Sequence, residues 1–323
     1  MSFKENINKF KQTFDFLKFI RDNFNTQESG DRVYISCPFH YEETPSCEVR
    51  DGRYICYGCG EYGDSIDFLS KLYGLSIKEV IESDDYSRYM YRGQYTVRQM
   101  RQQKIQCPSA KQVDMYHVAL MKKKDKIKYL ESRLIDINTI KIAKFGWGKP
   151  KEFKTYNSPR YTIPVYDENN RLVTMRYRID PVYDDGSEPK YLGHPNTNSY
   201  LYNSSTLADT DRVLIVGSEF DAAFIDHQLN VPSVGLPGES IFKTEWSKLF
   251  INKDVLVWLD NDITGKTGEL RIYKELKTSA KNVQLYRWDH GFKKGYDIGD
   301  FIKEFGVTYF MQELDKYELE HSN

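Results

Sequence analysis

Short apolar runs that stop at an acidic residue recur in the last third of this chain. Val255-Leu256-Val257-Trp258-Leu259 is too short for a helix and rich in β-branched residues, so it reads as a buried parallel strand. It runs into Asp260-Asn261-Asp262. Side chains alternate along a strand, so Asp260 and Asp262 point one way and Asn261 the other. A plainer reading makes the pair a loop that caps the next helix. Arg212-Val213-Leu214-Ile215-Val216 is a second such run, followed by Gly217-Ser218-Glu219, and Phe220 to Leu229 then places apolar residues at helical spacing. A third acidic turn, Asp297-Ile298-Gly299-Asp300, precedes another helix. Alternation of strand, acid and helix predicts a parallel sheet with its acids gathered beyond the carboxyl ends of the strands.

The first half is patterned differently. Residues 7–24 place Phe10, Phe14, Leu17 and Ile20 on one helical face. Arg53-Tyr54-Ile55 alternates as a strand. Residues 160–167 and 172–178 alternate on either side of Glu168-Asn169-Asn170, which predicts a hairpin carrying Arg160, Arg176 and Arg178 at its ends.

Length and composition narrow the class. The 323 residues suffice for two or three domains, and a net charge of −1 announces no nucleic-acid partner by itself. No apolar run approaches the roughly 18 residues of a membrane span, so no membrane partner is expected. The N-terminus lacks the apolar core of a secretory signal, and the five cysteines are clustered, which together predict a cytoplasmic protein with reduced thiols. Charge is uneven: residues 85–128 hold eleven Lys or Arg against three Asp, with Tyr86, Tyr89, Tyr91 and Tyr95 among them. That stretch reads as a basic linker, either a solvated tether or a track for a phosphate backbone with bases stacked on the tyrosines.

Two paired corners carry the clearest chemistry. Cys37-Pro38-Phe39-His40 is followed, after fifteen residues, by Cys56-Tyr57-Gly58-Cys59. Cys37, His40, Cys56 and Cys59 make a closed tetrahedral N/S set for one structural Zn²⁺, which a domain this small needs as a staple. Cys47 is off the ligand spacing and Cys107 stands alone.

With Glu43-Thr44-Pro45-Ser46 between the corners and Gly60, Gly63-Asp64 and Phe68-Leu69 after them, this stretch resembles the zinc-binding domain of DnaG-type primases. Cys47 stands where that family usually has Phe. In the family this domain helps choose the template site, which makes Tyr34, Arg53, Tyr54 and Tyr57 either base-stacking residues or packing for the zinc hairpin. Tyr129-Leu130-Glu131-Ser132-Arg133-Leu134-Ile135 and Phe145-Gly146-Trp147-Gly148 resemble the start of the primase polymerase domain, with Leu134 in place of a usual Gly. Pro189-Lys190-Tyr191-Leu192 matches a family motif whose Lys lies on a basic path near the active site. The resemblance implies nucleotide or template phosphate contacts for Arg160, Arg176, Arg178 and Lys190.

Residues 211–300 resemble the Toprim fold of primases, topoisomerases and some nucleases. Two departures stand out: Phe220 follows Glu219 where the family has Gly, and Gly299 stands where its Asp-x-Asp motif has the second Asp. The resemblance implies that Glu219, Asp260, Asp262 and Asp297 hold Mg²⁺ or Mn²⁺, with Glu219 as ligand or base and Asp300 as an alternate ligand. Thr264-Gly265-Lys266-Thr267 imitates a phosphate-binding loop, but the Gly required five positions before Gly265 is Asp260.

These readings predict an α+β and α/β multi-domain chain. A small zinc-ribbon-like domain would span 1–84, the basic linker 85–128, a mixed α/β subdomain 129–208, and a Toprim parallel-sheet domain with a short helical tail 209–323. The implied function is that of a DNA primase, making RNA primers on single-stranded DNA from ribonucleoside triphosphates in DNA replication. The compact chain further suggests a phage-encoded enzyme in the host cytoplasm, meeting a replicative helicase through residues 306–323. The rival readings are an inactive zinc/Toprim DNA-binding module and a Toprim nuclease.

Overall fold

A computed structural model describes residues 3–30, 32–39, 45–57, 61–73, 75–82, 107–153, 156–195, 197–239, 241–289 and 291–319. It begins with α1 (Phe3–Thr13) and α2 (Phe16–Asn23), then β1 (Thr26–Ser29), β2 (Arg32–Ile35), β3 (Cys47–Arg50), β4 (Arg53–Cys56) and β5 (Tyr62–Asp64), then α3 (Ser65–Tyr73) and α4 (Ile77–Ile81). Next come α5 (Ala110–Met121), α6 (Lys124–Ser132), α7 (Ile137–Ile142), β6 (Gly146–Gly148), β7 (Arg160–Tyr166), β8 (Leu172–Ile179) and β9 (Tyr191–Gly193). The last part holds β10 (Arg212–Val216), α8 (Glu219–Leu229), β11 (Ser233–Gly235), β12 (Asp254–Trp258), α9 (Ile263–Leu276), β13 (Asn282–Leu285), α10 (Ile298–Phe305) and α11 (Val307–Leu319).

The chain divides into two compact units. One comprises residues 1–108, 147–162 and 174–199, the other 109–146, 163–173 and 200–323. In the first, β1 to β5 form an antiparallel sheet in sequence order. Its core centres on Phe68, whose ring lies 5.2 Å from Phe16, 5.2 Å from Phe39 and 5.0 Å from Tyr54. Aromatic pairs at such edge-on spacings add to the burial energy of each ring. The helix expected over 7–24 is two helices, because Asp15 leaves the helical conformation and its carboxylate accepts the Lys18 N–H (2.9 Å), starting α2 afresh.

The linker reading reaches too far. Within residues 85–128, α5 and the start of α6 are ordered helix, while residues 83–106 lie outside the described part. Ser109 and Gln112 form a reciprocal capping box, and Val113, Tyr116 and Leu120 bury one face of α5. Lysines on the solvent side, Lys111 and Lys122 among them, gave this amphipathic helix the look of a tether.

In the second unit β10 to β13 form a wholly parallel sheet in the order β11-β10-β12-β13. Its middle strands, β10 and β12, are nearly continuous apolar runs, as burial on both faces requires. Trp258 stacks on Tyr286 at 3.5 Å and meets Phe301 of α10 and Phe310 of α11, which fixes those helices over the sheet. Among the described residues no helix is long and apolar enough to cross a membrane.

Candidate active site

The carboxyl ends of β10 and β12 lie side by side, because Val216 pairs with Trp258. Beyond β10, Ser218 caps α8: its hydroxyl accepts the Asp221 N–H (3.2 Å) and donates to the Asp221 carboxylate (2.6 Å). Beyond β12 the strand stops at Trp258, so strand alternation does not govern the acids that follow. Asp262 instead caps α9, accepting the Gly265 N–H at 2.8 Å. Asp297 caps α10 in the same way, accepting the Asp300 N–H at 2.6 Å. The capping reading is therefore realised at Asp262 and Asp297, since a helix N-terminus is a favourable place for a carboxylate.

Two acids that the sequence did not single out complete the group. The Asp260 N–H donates to Oε1 of Glu239 at 2.8 Å, bringing a carboxylate across from the loop after β11. Asp221 and Asp297 share one cation: Arg133 Nη2 lies 3.7 Å from the first and 3.6 Å from the second. Gly299 sits between these two acids, and a Cβ there would come within 3.2 Å of Asp297 and 3.3 Å of Asp221.

The electrostatics follow from this crowding. Burial pushes the Asp260 carboxyl up to about 9, with the charges of Glu239, Asp221 and Asp297 adding to it. Burial likewise raises Glu239, helped by Asp262 and Asp221. One proton shared between Asp260 and Glu239 relieves the repulsion. On α9, burial raises Glu269 to about 7, against the opposing pull of Arg287.

Two other predicted residues have further neighbours. Glu219, the first residue of α8, is buried with its charge beside Tyr202. Asp300 lies in the first turn of α10, where its charge acts on Tyr296. The imitation phosphate loop is packing: Cβ atoms at Gly265 and Gly268 would lie 2.1 Å from the Asp260 carbonyl and 2.2 Å from the Glu239 carbonyl. Only glycine lets α9 approach the two acid-bearing loops so closely.

Arg160, expected to reach phosphate, is fully buried, with Nη2 2.7 Å from Glu188 and Nη1 donating to the Pro189 carbonyl (2.8 Å). Arg176 is also buried, over the Tyr191 ring. Arg178 donates to the Tyr191 hydroxyl at 2.6 Å, and Lys190 is exposed. Of the four, Lys190 and Arg178 keep contact with solvent.

In the N-terminal sheet, Cys37 and Cys56 are buried, and the Phe39 N–H and Ser46 hydroxyl lie 3.4 Å from their respective sulfurs. Polar groups aimed at the two sulfurs suit thiolate ligands. His40 and Cys59 lie outside the described residues. Among the described residues no three His, Cys, Asp or Glu side chains are already drawn together around a single point. Among the described residues, the acids at the parallel sheet's edge offer carboxylate oxygens, the donors a hard divalent cation takes.

An antiparallel zinc-ribbon sheet joined to a parallel sheet with an acidic edge defines the class: this is the fold of the zinc-binding and RNA polymerase (Toprim) domains of primases. The solved Aquifex aeolicus primase comprising those two domains superposes with a TM-score of 0.54 at 20% identity, over 96% of this chain and 85% of that one. A DnaG primase catalytic domain bound to single-stranded DNA superposes with a TM-score of 0.51 at 18% identity, over 64% of this chain and 76% of that one. Residues 2–101 match the DnaG zinc-ribbon family described as the CHC2 zinc finger. Among curated relatives, the DNA primase of Rickettsia felis is 27% identical over 340 residues, 90% of this chain and 55% of that protein. The DNA primase of Thermotoga maritima is 26% identical over 330 residues, 87% of this chain and 56% of that protein. The chain thus spans somewhat more than half the length of these relatives.

Proposed function

We propose that this chain is the working core of a DNA primase: an RNA polymerase that starts short RNA chains on single-stranded DNA. What carries the reading is the acidic edge around Asp260 in a chain similar to DNA primases over nearly its whole length. The substrates are ribonucleoside triphosphates, the template is single-stranded DNA, and the partner in replication is a helicase.

Asp260, Asp262 and Asp297 would hold Mg²⁺ or Mn²⁺, with Asp300 within the same helix turn as Asp297. Held by these carboxylates, a divalent ion would supply Lewis acidity towards the primer 3′-hydroxyl and charge stabilisation for the leaving pyrophosphate. Arg133 offsets the charge of Asp221 and Asp297, so the edge stays assembled between turnovers. Of the four basic residues singled out by the sequence, Lys190 and Arg178 keep solvent contact and would meet phosphate. Cys37, His40, Cys56 and Cys59 would hold one Zn²⁺ that staples the N-terminal sheet.

Primer synthesis on mixed single-stranded templates, with labelled ribonucleotides and Mg²⁺ or Mn²⁺, tests this beside Asp260→Ala. Short products from the wild type and none from the variant are expected. Template cleavage in place of synthesis would make the enzyme a nuclease. DNA binding without products, with or without a helicase, would make it an inert binding module.

A further inference from the structure

We infer that Glu239, not Glu219, is the glutamate that joins Asp260 in holding the catalytic divalent cation, an inference that rests on the metal-dependent reading above. A parallel sheet presents ligands from the ends of its adjacent middle strands. Here the end of β12 supplies Asp260, but the first position beyond β10 is Gly217, which has no side chain. Glu239 fills that space. A Cβ built on Gly217 would lie 2.7 Å from Oε1 of Glu239 and 3.2 Å from both its Cγ and Oδ1 of Asp260. The carboxylate therefore stands where a side chain from the end of β10 would stand, delivered from the neighbouring strand's loop.

Three further features hold Glu239 there. Its Oε1 accepts the Asp260 N–H, which ties the two acidic loops together. Its carbonyl lies against Gly268 of α9, too close for any other residue at that position. Charge pairing also separates the acids into two kinds: Asp221 and Asp297 face Arg133, whereas among the described residues no Lys, Arg or His pairs with Glu239 or Asp260. Two carboxylates held together without a cation are costly, and a divalent ion between them removes the cost. Glu219, the residue the sequence points to, is buried in the first turn of α8, where its charge acts on Tyr202.

The test is Mn²⁺ titration of the full chain, followed by electron paramagnetic resonance and by calorimetry, for Glu239→Gln, Glu219→Gln and the exchange Gly217→Glu with Glu239→Ala. Glu239→Gln is expected to weaken Mn²⁺ binding at least about tenfold, and Glu219→Gln to change it less than about threefold. The exchange returns a carboxylate to the same space from the end of β10 and should recover most of the loss. Wild-type affinity in Glu239→Gln, a loss in Glu219→Gln instead, or no Mn²⁺ binding by the wild type would overturn the inference. Mn²⁺ binding that depends on Glu239, in a protein that makes no primers, would sink the primase reading and leave this one standing.

Discussion

At the scale of single residues, Asp260 carries a carboxyl whose burial among other acids costs stability. Its carboxyl is raised from 3.8 to about 9, so without a cation the folded chain holds a proton that the unfolded chain releases. The folded state is then favoured most below about pH 4, and that advantage drains away as pH rises towards 9. Asp260→Asn removes the effect while keeping the shape. In a chelator at about pH 8 it should be more stable than the wild type by roughly 1–3 kcal/mol, the proton being shared with Glu239, while primer synthesis is lost. Thermal unfolding across pH reads the first effect; a variant no more stable than the wild type at high pH would show that the carboxyl is not strained.

At the scale of elements, the basic hairpin and the last helix make separate predictions. Arg160 is a strut for the β8–β9 connection, because Glu188 accepts its guanidinium and also the N–H groups of Asn157 and Ser158. Burial alone would raise Glu188, but these hydrogen bonds outweigh it and hold the carboxyl below its ordinary 4.5. That stabilisation is present above about pH 4.5 and is lost as pH falls below it. Glu188→Gln should cost roughly 2–3 kcal/mol at neutral pH, somewhat less than a fully buried pair because Glu188 keeps some solvent. Denaturant titration at neutral pH and at about pH 3 should show the gap between variant and wild type closing with acid. On α11, Phe310 is completely buried against Trp258. Phe310→Ala should cost about 3–4 kcal/mol and expose Trp258, visible as a red shift in emission; unchanged stability would mean that α11 is not part of the sheet's core.

At the scale of the whole molecule, the two units should respond to metals independently. A strong chelator should release one zinc per chain and reduce the circular dichroism of the N-terminal sheet. In a Trp147→Phe background, because Trp147 belongs to the first unit, the remaining Trp246, Trp258 and Trp288, all in the second unit, should keep their emission. Loss of tryptophan packing on zinc removal would show that the second unit depends on the first. Adding Mg²⁺ should do the reverse, stabilising the second unit alone in proportion to its affinity.

By itself the sequence determined what depends on local order: apolar runs short enough to be strands, acids at their ends, capping residues at helix starts, and paired corners at ligand spacing. These signals placed β10, β12, β4 and the hairpin of β7 and β8, and they picked out Asp260, Asp262 and Asp297. The tertiary structure decided what depends on distance through space. Glu239 and Asp221 join Asp260 only because the loop after β11, the cap of α8 and the end of β12 meet at one sheet edge. Arg160 looked like a phosphate ligand, since an arginine's sequence neighbours do not reveal that Glu188 waits 2.7 Å away to bury it. Gly265 looked like part of a phosphate loop; in the fold it makes room for the Asp260 carbonyl, as Gly217 makes room for Glu239. Spacing along a chain encodes periodic elements and ligand corners, whereas charge neutralisation and steric exclusion belong to atoms brought together from distant segments.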